Sequence, residues 1–376
     1  MSVPLTYDEL HTIVASVVDA AKLSNGSFVA TRDNTAGLLD KIGKIVTLDT
    51  VYAIDKLSMF DGEYLSFGKT IEEWSEDLIL PDDYDSTGAS TLAPHDPSYR
   101  PAFYSYTLGR KTIATTIRYN DLERAVHFEG QLAELLAMKV KRLSDSMAVY
   151  RYGVKREMLA KFIGFAEAAM SSSNATFATA TAYTVGTYLK DSNTPTAFGV
   201  VFKAIPASPA IADWDTAVAG GYIIPLDLVQ AIAVPVDDST GEAFIEQVKK
   251  DVEIASDLND GHSLNGNALG ATEGLVLIIK QGVMPNIEVQ TLAGAFHDNR
   301  LALPAEVVVV KDFGSDSSDA YAVLMDRRGM RLHNTYNATF SQENGEGAFQ
   351  NIFRHTEDTG YISRNIFFKV YVDPGI

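Results

Sequence analysis

The sequence predicts a mixed α+β protein, and three features support this class. One helical pattern runs from about Asn120 to Met170. Short apolar runs that are typical of strands dominate the last third of the chain, and neither an internal repeat nor a low-complexity tract is visible. This combination of helical and strand patterns supports a mixed α+β class.

The N-terminal region predicts a short amphipathic helix. Thr6 and Glu9 have the spacing of a capping box at its start, and Asn25 and Gly26 end it. Its apolar stripe comprises Leu10, Ile13, Val14, Val17, Val18 and Ala21. Such a helix docks on its own core, or on a neighbouring subunit or partner protein, and both alternatives stay open.

The stretch from Phe60 to Arg100, called here the acidic segment, carries ten carboxylates against only Lys69 and Arg100. So many like charges cannot all be buried, and we expect the segment to lie on the surface or across a neighbour. A solvated loop is the simpler alternative. The length of the segment and its apolar Trp74 and Leu78 favour a binding role.

Alternating residues at 104–107 and 112–119 predict strands that lead directly into a long helix. The helix would span about 75 Å at about 1.5 Å per residue, capped by Asn120 or Asp121. Gly153 leaves a bend or an early stop as the alternative. The apolar positions at helical spacing are Leu132, Leu136, Val140, Leu143, Met147, Tyr150, Val154, Met158, Phe162 and Phe165.

This helix is basic, although the whole chain is acidic. Between residues 139 and 161, only Asp145 and Glu157 oppose seven cations, which are Lys139, Lys141, Arg142, Arg151, Lys155, Arg156 and Lys161. One interpretation is a solvated helix face. The other is a face that meets the acidic segment of a neighbouring copy or packaged nucleic acid.

The remaining elements follow from the same patterns. We expect short strands at Tyr222–Pro225 and Ala231–Val234 and an acidic amphipathic helix at Asp238–Leu258. A further helix is predicted at Pro285–Phe296. The strands predicted in the last third are Leu275–Lys280, Glu306–Lys311, Ala320–Asp326, Met330–Phe340 and Tyr361–Val372.

Composition limits the function classes. The 49 acidic and 31 basic residues give a formal net charge of −18, which argues against a nucleic-acid reader acting as a free monomer. The lack of cysteine excludes disulfides and thiolate metal sites. We expect a soluble protein of intracellular origin, because neither a signal-peptide pattern nor an apolar run of membrane length is visible.

No catalytic, metal-binding or cofactor-binding motif is recognisable. The seven histidines are scattered and form no zinc-type pair. Residues 261–268 lack the Lys-Ser/Thr of a phosphate-binding loop. Residues 83–94 begin like a calcium loop, but Pro94 occupies the position of the bidentate glutamate. The sequence therefore predicts a protein that is not an enzyme.

Two stretches resemble a known family. Residues 68–78 are similar to the extended-loop region of small short-tailed phage head proteins, and residues 306–313 with 321–330 resemble the last strands of the axial domain in those proteins. With the order of elements, the chain resembles a tailed-bacteriophage major capsid protein of the Hong Kong 97-like fold. The resemblance implies an N-terminal arm at 1–56, an extended loop at 57–119, a peripheral domain with the spine helix at 120–220 and 330–376, and an axial domain at 221–329.

The resemblance also implies partners. Copies of the chain would form the hexamers and pentamers of an icosahedral shell around double-stranded DNA, which the inner face would contact without specificity. A separate scaffolding protein, a portal and accessory head proteins would take part, assembly would occur in the host bacterial cytoplasm, and neither cofactor nor membrane would be needed. The subunit-contact candidates are Trp74, Leu78, Tyr84, Arg142, Arg151 and Lys155.

Two alternatives remain. The same fold serves encapsulin-like shells that enclose cargo enzymes, and the predicted N-terminal helix is compatible with cargo docking. A soluble acidic enzyme of unknown reaction is the other class. Observation of shells by negative-stain microscopy would separate an assembling protein from a monomeric enzyme.

Overall fold

A computed structural model describes residues 55–66, 68–76, 88, 99–103, 105–118, 129–209, 211–267, 274–283, 305–315 and 318–375. The chain divides into two compact units. The first includes Ala114–Asp145 and Ser341–Ile352, and the second includes Ala53–Ile113, Ser146–Phe340 and Phe353–Ile376. The mixed helix and sheet content predicted from the sequence is confirmed.

The long helix α1 spans Glu129–Ala169. It continues through Gly153 and Gly164, so the predicted helix does run on to Ala169 and the alternative of an early stop at Gly153 is wrong. A helix that buries a continuous apolar face tolerates the modest cost of two glycines. Asn174 ends the helix, because its side-chain amide donates to the carbonyl oxygens of Ala168 and Ala169 at 3.1 and 2.9 Å. The predicted caps at 120 and 121 lie outside the described residues.

A five-stranded sheet forms the centre of the second unit, in the order β11-β10-β12-β15-β9. β10 runs parallel to β11 and antiparallel to β12, while β15 runs antiparallel to β12 and parallel to β9. The strands are β9 Val229–Ala231, β10 Leu275–Lys280, β11 Glu306–Val310, β12 Ala320–Asp326 and β15 Phe368–Val372.

Helices cover both faces of this sheet, which explains why every residue of β12 is buried. Phe162 of α1 packs on Phe368 with ring centroids 4.4 Å apart. On the other face, Phe244 packs on Tyr371 at 5.4 Å. Phe244 belongs to α3, which spans Asp238–Ala255 and begins with a capping box between Asp237 and Thr240.

Three smaller sheets complete the described structure. β1 pairs with β2, β13 pairs with β14, which in turn pairs with β3 and β4, and β5 to β8 form a sheet in chain order. A short helix, α2, spans Trp214–Ala219. The strands are β1 Glu72–Glu76, β2 Tyr99–Phe103, β3 Ser105–Thr107, β4 Lys111–Arg118, β5 Ala175–Thr176, β6 Tyr188–Lys190, β7 Phe198–Val201, β8 Ile223–Leu226, β13 Met330–Asn344 and β14 Phe349–Ile362.

The predicted strand Tyr361–Val372 is wrong as a single element. β14 ends at Ile362 and β15 begins at Phe368. Between them, the backbone N–H of Asn365 donates to the Ser363 hydroxyl at 3.2 Å, and this local bond turns the chain out of one sheet and into the other. The predicted helices at residues 6–23 and 285–296 lie outside the described residues.

Candidate subunit-contact site

Trp74 is the most exposed large apolar residue in the described part of the acidic segment. It lies on β1 opposite Pro101 of β2, in a two-stranded antiparallel pair that we call the ribbon. Its side chain is 66% exposed. A tryptophan in water leaves a large apolar surface available for a partner. Leu78 and Tyr84, the other two candidates from this segment, lie outside the described residues.

Lys155 has a different environment. It is completely buried in the middle of α1, and its Nζ lies 2.6 Å from Asp55 Oδ2 and 2.7 Å from Asp61 Oδ1. A buried ammonium is stable only when it is paired. The solvated-face interpretation is therefore wrong for Lys155, and its charge is balanced by acids of its own chain.

Arg151, one turn earlier on α1, extends the same cluster. Its guanidinium lies 3.4 Å from Asp61 and 3.5 Å from Asp358, and it donates to the carbonyl oxygen of Leu332 at 3.2 Å. Asp61 belongs to the acidic segment, so acidic segment and basic helix do meet, within one chain. A contact of Arg151 or Lys155 with a neighbouring copy stays a prediction.

Three further cations of α1, Arg142, Arg156 and Lys161, have described side chains with different environments. Arg156 pairs with Asp312, and Lys161 lies over the ring of Tyr106 with Nζ 4.2 Å from the centroid. Arg142 is exposed. A contact of Arg142 with a neighbouring subunit therefore stays a prediction.

Glu357 on β14 joins both ends of the segment that contains the ribbon. Its side chain is 6% exposed and accepts from Lys69, which precedes β1, and from Arg110, which follows β3. The Arg110 Nη2 atom lies 3.3 Å from Glu357 Oε2. The hydrogen bond from Lys69 lowers the pKa of Glu357. We call Lys69, Arg110 and Glu357 the root of the ribbon.

A second set of contacts holds the ribbon itself. Glu73 Oε1 on β1 accepts from the Ser363 hydroxyl at 2.7 Å and from the Asn365 amide at 3.0 Å. Glu73 and Trp74 are neighbours on a strand, where successive side chains point to opposite faces. One face of the ribbon is thus bound to its own chain, while Trp74 faces away from that contact.

Sequence reasoning missed Glu357, Asp358, Ser363 and Asn365. No local pattern distinguishes them, because each pairs with a residue that is distant in sequence. Among the described residues, no group of three His, Cys, Asp or Glu side chains comes together in a way that could hold a metal ion. No helix in the described part of the chain is long and apolar enough to cross a membrane.

The sequence matches a family model described as Phi29-like phage major capsid protein over residues 17–198 and 230–368. The structure is similar to a chain from the capsid structure of Staphylococcus phage Andhra, with a TM-score of 0.55, 10% identity, and coverage of 89% of this chain and 88% of that one. It is also similar to a chain from the capsid structure of cyanophage P-SCSP1u, with a TM-score of 0.51, 9% identity, and coverage of 90% and 94%. At such identities the likeness shows a shared fold. No curated protein matches the sequence.

Proposed function

Because the chain belongs to the Phi29-like phage major capsid protein family, we propose that its copies assemble through hexamers and pentamers into an icosahedral shell around packaged double-stranded DNA. The observation that carries the proposal is the family match, which spans most of the chain, together with a fold shared with phage capsid structures over nine tenths of its length. Closed shells of this kind are built from one self-complementary subunit repeated by symmetry.

The ribbon supports the proposal at the level of residues. Its root is fixed to β14 through Glu357, and Glu73 is bonded to Ser363 and Asn365. Trp74 is left exposed on the opposite face. Exposed aromatic side chains on a firmly held backbone are typical of interface hot spots, because little entropy is lost on binding. We propose that Trp74 contacts an adjacent subunit.

We further propose the Hong Kong 97-like division of the chain into arm, extended loop, peripheral domain and axial domain. β10, β11 and β12 belong to the proposed axial segment 221–329, as does β9. β15, from the C-terminal peripheral segment, lies in the same sheet between β12 and β9. We therefore extend the proposed axial domain to include Phe368–Val372.

The proposed partners are other copies of this chain, a scaffolding protein, a portal, accessory head proteins and DNA. A shell in the virion needs no catalytic group, and the family is a structural one. The family match favours a phage capsid over an encapsulin-like cargo shell and over a soluble enzyme.

Assembly can be tested with the purified full-length chain. We expect sedimentation to reveal hexamer- or pentamer-sized species and negative-stain microscopy to reveal closed shells, with scaffolding protein co-expressed where the chain alone stays in capsomers. A chain that remains monomeric under all these conditions would overturn the proposal. DNA inside particles made in infected cells, protected from nuclease, would support the packaging role.

A further inference from the structure

His262 lies where the loop after α3 meets β15. We propose that it forms a proton-dependent bridge, complete only when both ring nitrogens carry a proton, between Asn259 of that loop and Asp227, which follows β8. The bridge would hold the loop after α3 against Asp227 more firmly in mild acid, and the loop would open more often in mild alkali. This inference does not depend on the proposed function.

The first half of the bridge fixes a proton on Nδ1. The side-chain amide nitrogen of Asn259 donates to the carbonyl oxygen of Ile254 at 3.0 Å, which orients the amide oxygen toward His262. That oxygen lies 2.9 Å from His262 Nδ1. Because an amide oxygen only accepts, Nδ1 must be the donor.

The second half requires a proton on Nε2. This atom lies 3.3 Å from Asp227 Oδ2, close enough for an ion pair, and it is buried without another hydrogen-bond partner among the described residues. With Nδ1 already protonated, a neutral ring would direct a lone pair at a carboxylate. Protonation converts this repulsion into attraction.

The ring of His262 is held in its position by burial and stacking. Its side chain is 8% exposed, and Phe367 stacks on it with centroids 5.2 Å apart and an interplanar angle of 13°. A flip of the ring would break the bond to Asn259, and a tilt of the ring plane would break the stacking. The burial also limits access of water as a substitute partner.

The surrounding charges favour a second cation. Lys369 Nζ lies 2.7 Å from Asp227 Oδ2 and 2.9 Å from Asp251 Oδ1, and the Tyr371 hydroxyl donates to Asp251 Oδ2 at 2.7 Å. The carboxylates of Asp227 and Asp251 thus share the single ammonium of Lys369. A protonated His262 ring would supply the second positive charge and make the cluster neutral. Asp257 and Asp260, in the same loop as His262, add further negative potential.

Asp227 stays ionised wherever a histidine titrates. Burial raises the pKa of its carboxyl, but the hydrogen bond from His262 and the charge and hydrogen bond of Lys369 outweigh burial and bring it to about 2. An ordinary histidine titrates near pH 6.5. The Asp227 carboxylate is therefore a charged acceptor in mild acid and in mild alkali alike.

Backbone bonds transmit the effect to the sheet. The N–H of Phe368 donates to the carbonyl oxygen of His262 at 2.9 Å, and the N–H of Asp227 donates to that of Gly261 at 2.8 Å. The amides of Phe368 and Asp227 therefore report directly on the bridge. Opening of the loop exposes both of them to hydrogen exchange.

Hydrogen exchange of the full chain at pH 5.5 and pH 8.0, corrected for intrinsic rates, tests the proposal. Sedimentation must first establish the same oligomeric state at both pH values. We expect these two amides to exchange about tenfold more slowly at pH 5.5 than at pH 8.0, because one charge-assisted hydrogen bond stabilises the closed loop by about that factor. His262→Gln is expected to remove the difference, whereas His355→Gln, at a histidine on β14, is expected to keep it.

Equal corrected rates in the wild-type chain at the two pH values would overturn the bridge, as would a pH difference that persists in His262→Gln. Should that variant fail to fold, Asp227→Asn removes the facing charge with little change of shape. Selective labelling of histidine provides a measurement without substitution. Its ring signals should show His262 doubly protonated at pH 5.5, and a neutral ring there would also overturn the proposal.

Discussion

The ammonium nitrogen of Lys155 lies 2.6 Å from the carboxylate of Asp55. This pair links the middle of α1 to the chain just before the acidic segment, and Asp61 also contacts the Lys155 ammonium at 2.7 Å. Water cannot fully solvate either charge, since the Lys155 side chain is completely buried and that of Asp55 largely so. A charge pair of this kind positions the chain before the acidic segment begins.

Replacement of Lys155 by Met should destabilise the second unit by about 3 kcal/mol, because Asp55 and Asp61 would lose a buried counter-charge. Denaturant unfolding monitored by circular dichroism measures the loss. The matched control is Lys161→Met, since that lysine is exposed on the same helix. Equal stability of the two variants would contradict the structural role of Lys155. Because charge reversal at Lys155 would disturb the fold, it is a poor probe of subunit contact.

Trp74→Ala should impair assembly and leave the subunit folded. The side chain is two-thirds exposed, so unfolding free energy should change by less than about 1 kcal/mol, while a hot-spot contact contributes about 2 kcal/mol or more at each copy. Particle yield by negative-stain microscopy and thermal unfolding of the free subunit measure the two effects. Leu258→Ala, at a similarly exposed residue after α3, serves as control. Normal yield from Trp74→Ala would exclude the proposed contact.

Glu357→Gln should loosen the root of the ribbon. The amides of Ile71, bonded to the Ser105 hydroxyl, and of Leu108, bonded to the Asp358 carbonyl, should exchange about tenfold faster at neutral pH. Glu242→Gln, on the exposed face of α3, is the control.

The same root should respond to acid. The pKa of Glu357 is lowered in the folded chain, chiefly by the hydrogen bond from Lys69. Its contribution is therefore fully present above the ordinary glutamate pKa and is lost as pH falls through the lowered value. The exchange rates of the Ile71 and Leu108 amides, measured as pH is lowered, should therefore become equal in the wild-type chain and in Glu357→Gln below the lowered pKa of Glu357. Profiles that stay parallel would show that Glu357 does not hold the root.

Phe162→Ala should destabilise the second unit by about 4 kcal/mol, since it removes a fully buried ring that packs on Phe368. Val149→Ala, at a position 45% exposed on the same helix, should cost less than about 1 kcal/mol. The shift of the denaturant midpoint of each variant, at an unchanged m-value, measures its loss of unfolding free energy. A small loss at Phe162 would mean that α1 does not form part of this core.

The sequence predicted the buried framework well. β10 and β12 begin and end at the predicted residues, because continuous apolar runs of this length fit a strand that is covered on both faces. The helical period likewise predicted the stretch of α1 that packs on the sheet. The turn at Ser363 was missed, since the apolar residues on either side of it continue a strand-like pattern.

The sequence indicated that acidic and basic stretches would meet, but it did not indicate which residues would pair. The complementarity of acidic segment and basic helix is visible in the sequence. The choice of Asp55 as a partner of Lys155 is not, because the two residues are 100 positions apart. Lys69 and Glu357 are 288 residues apart. The exposure of Trp74 agrees with a contact role, and that role stays a prediction.

The place of β15 in the five-stranded sheet constrains how the protein can be made. Among the described strands, β9 is hydrogen-bonded to the sheet only through β15, the last described strand to leave the ribosome. A nascent chain that has not yet delivered residues 368–372 presents β12 and β9 with open edges, which invite pairing with other chains. Residues 368–372 must therefore be synthesised before these two edges can close within the same chain.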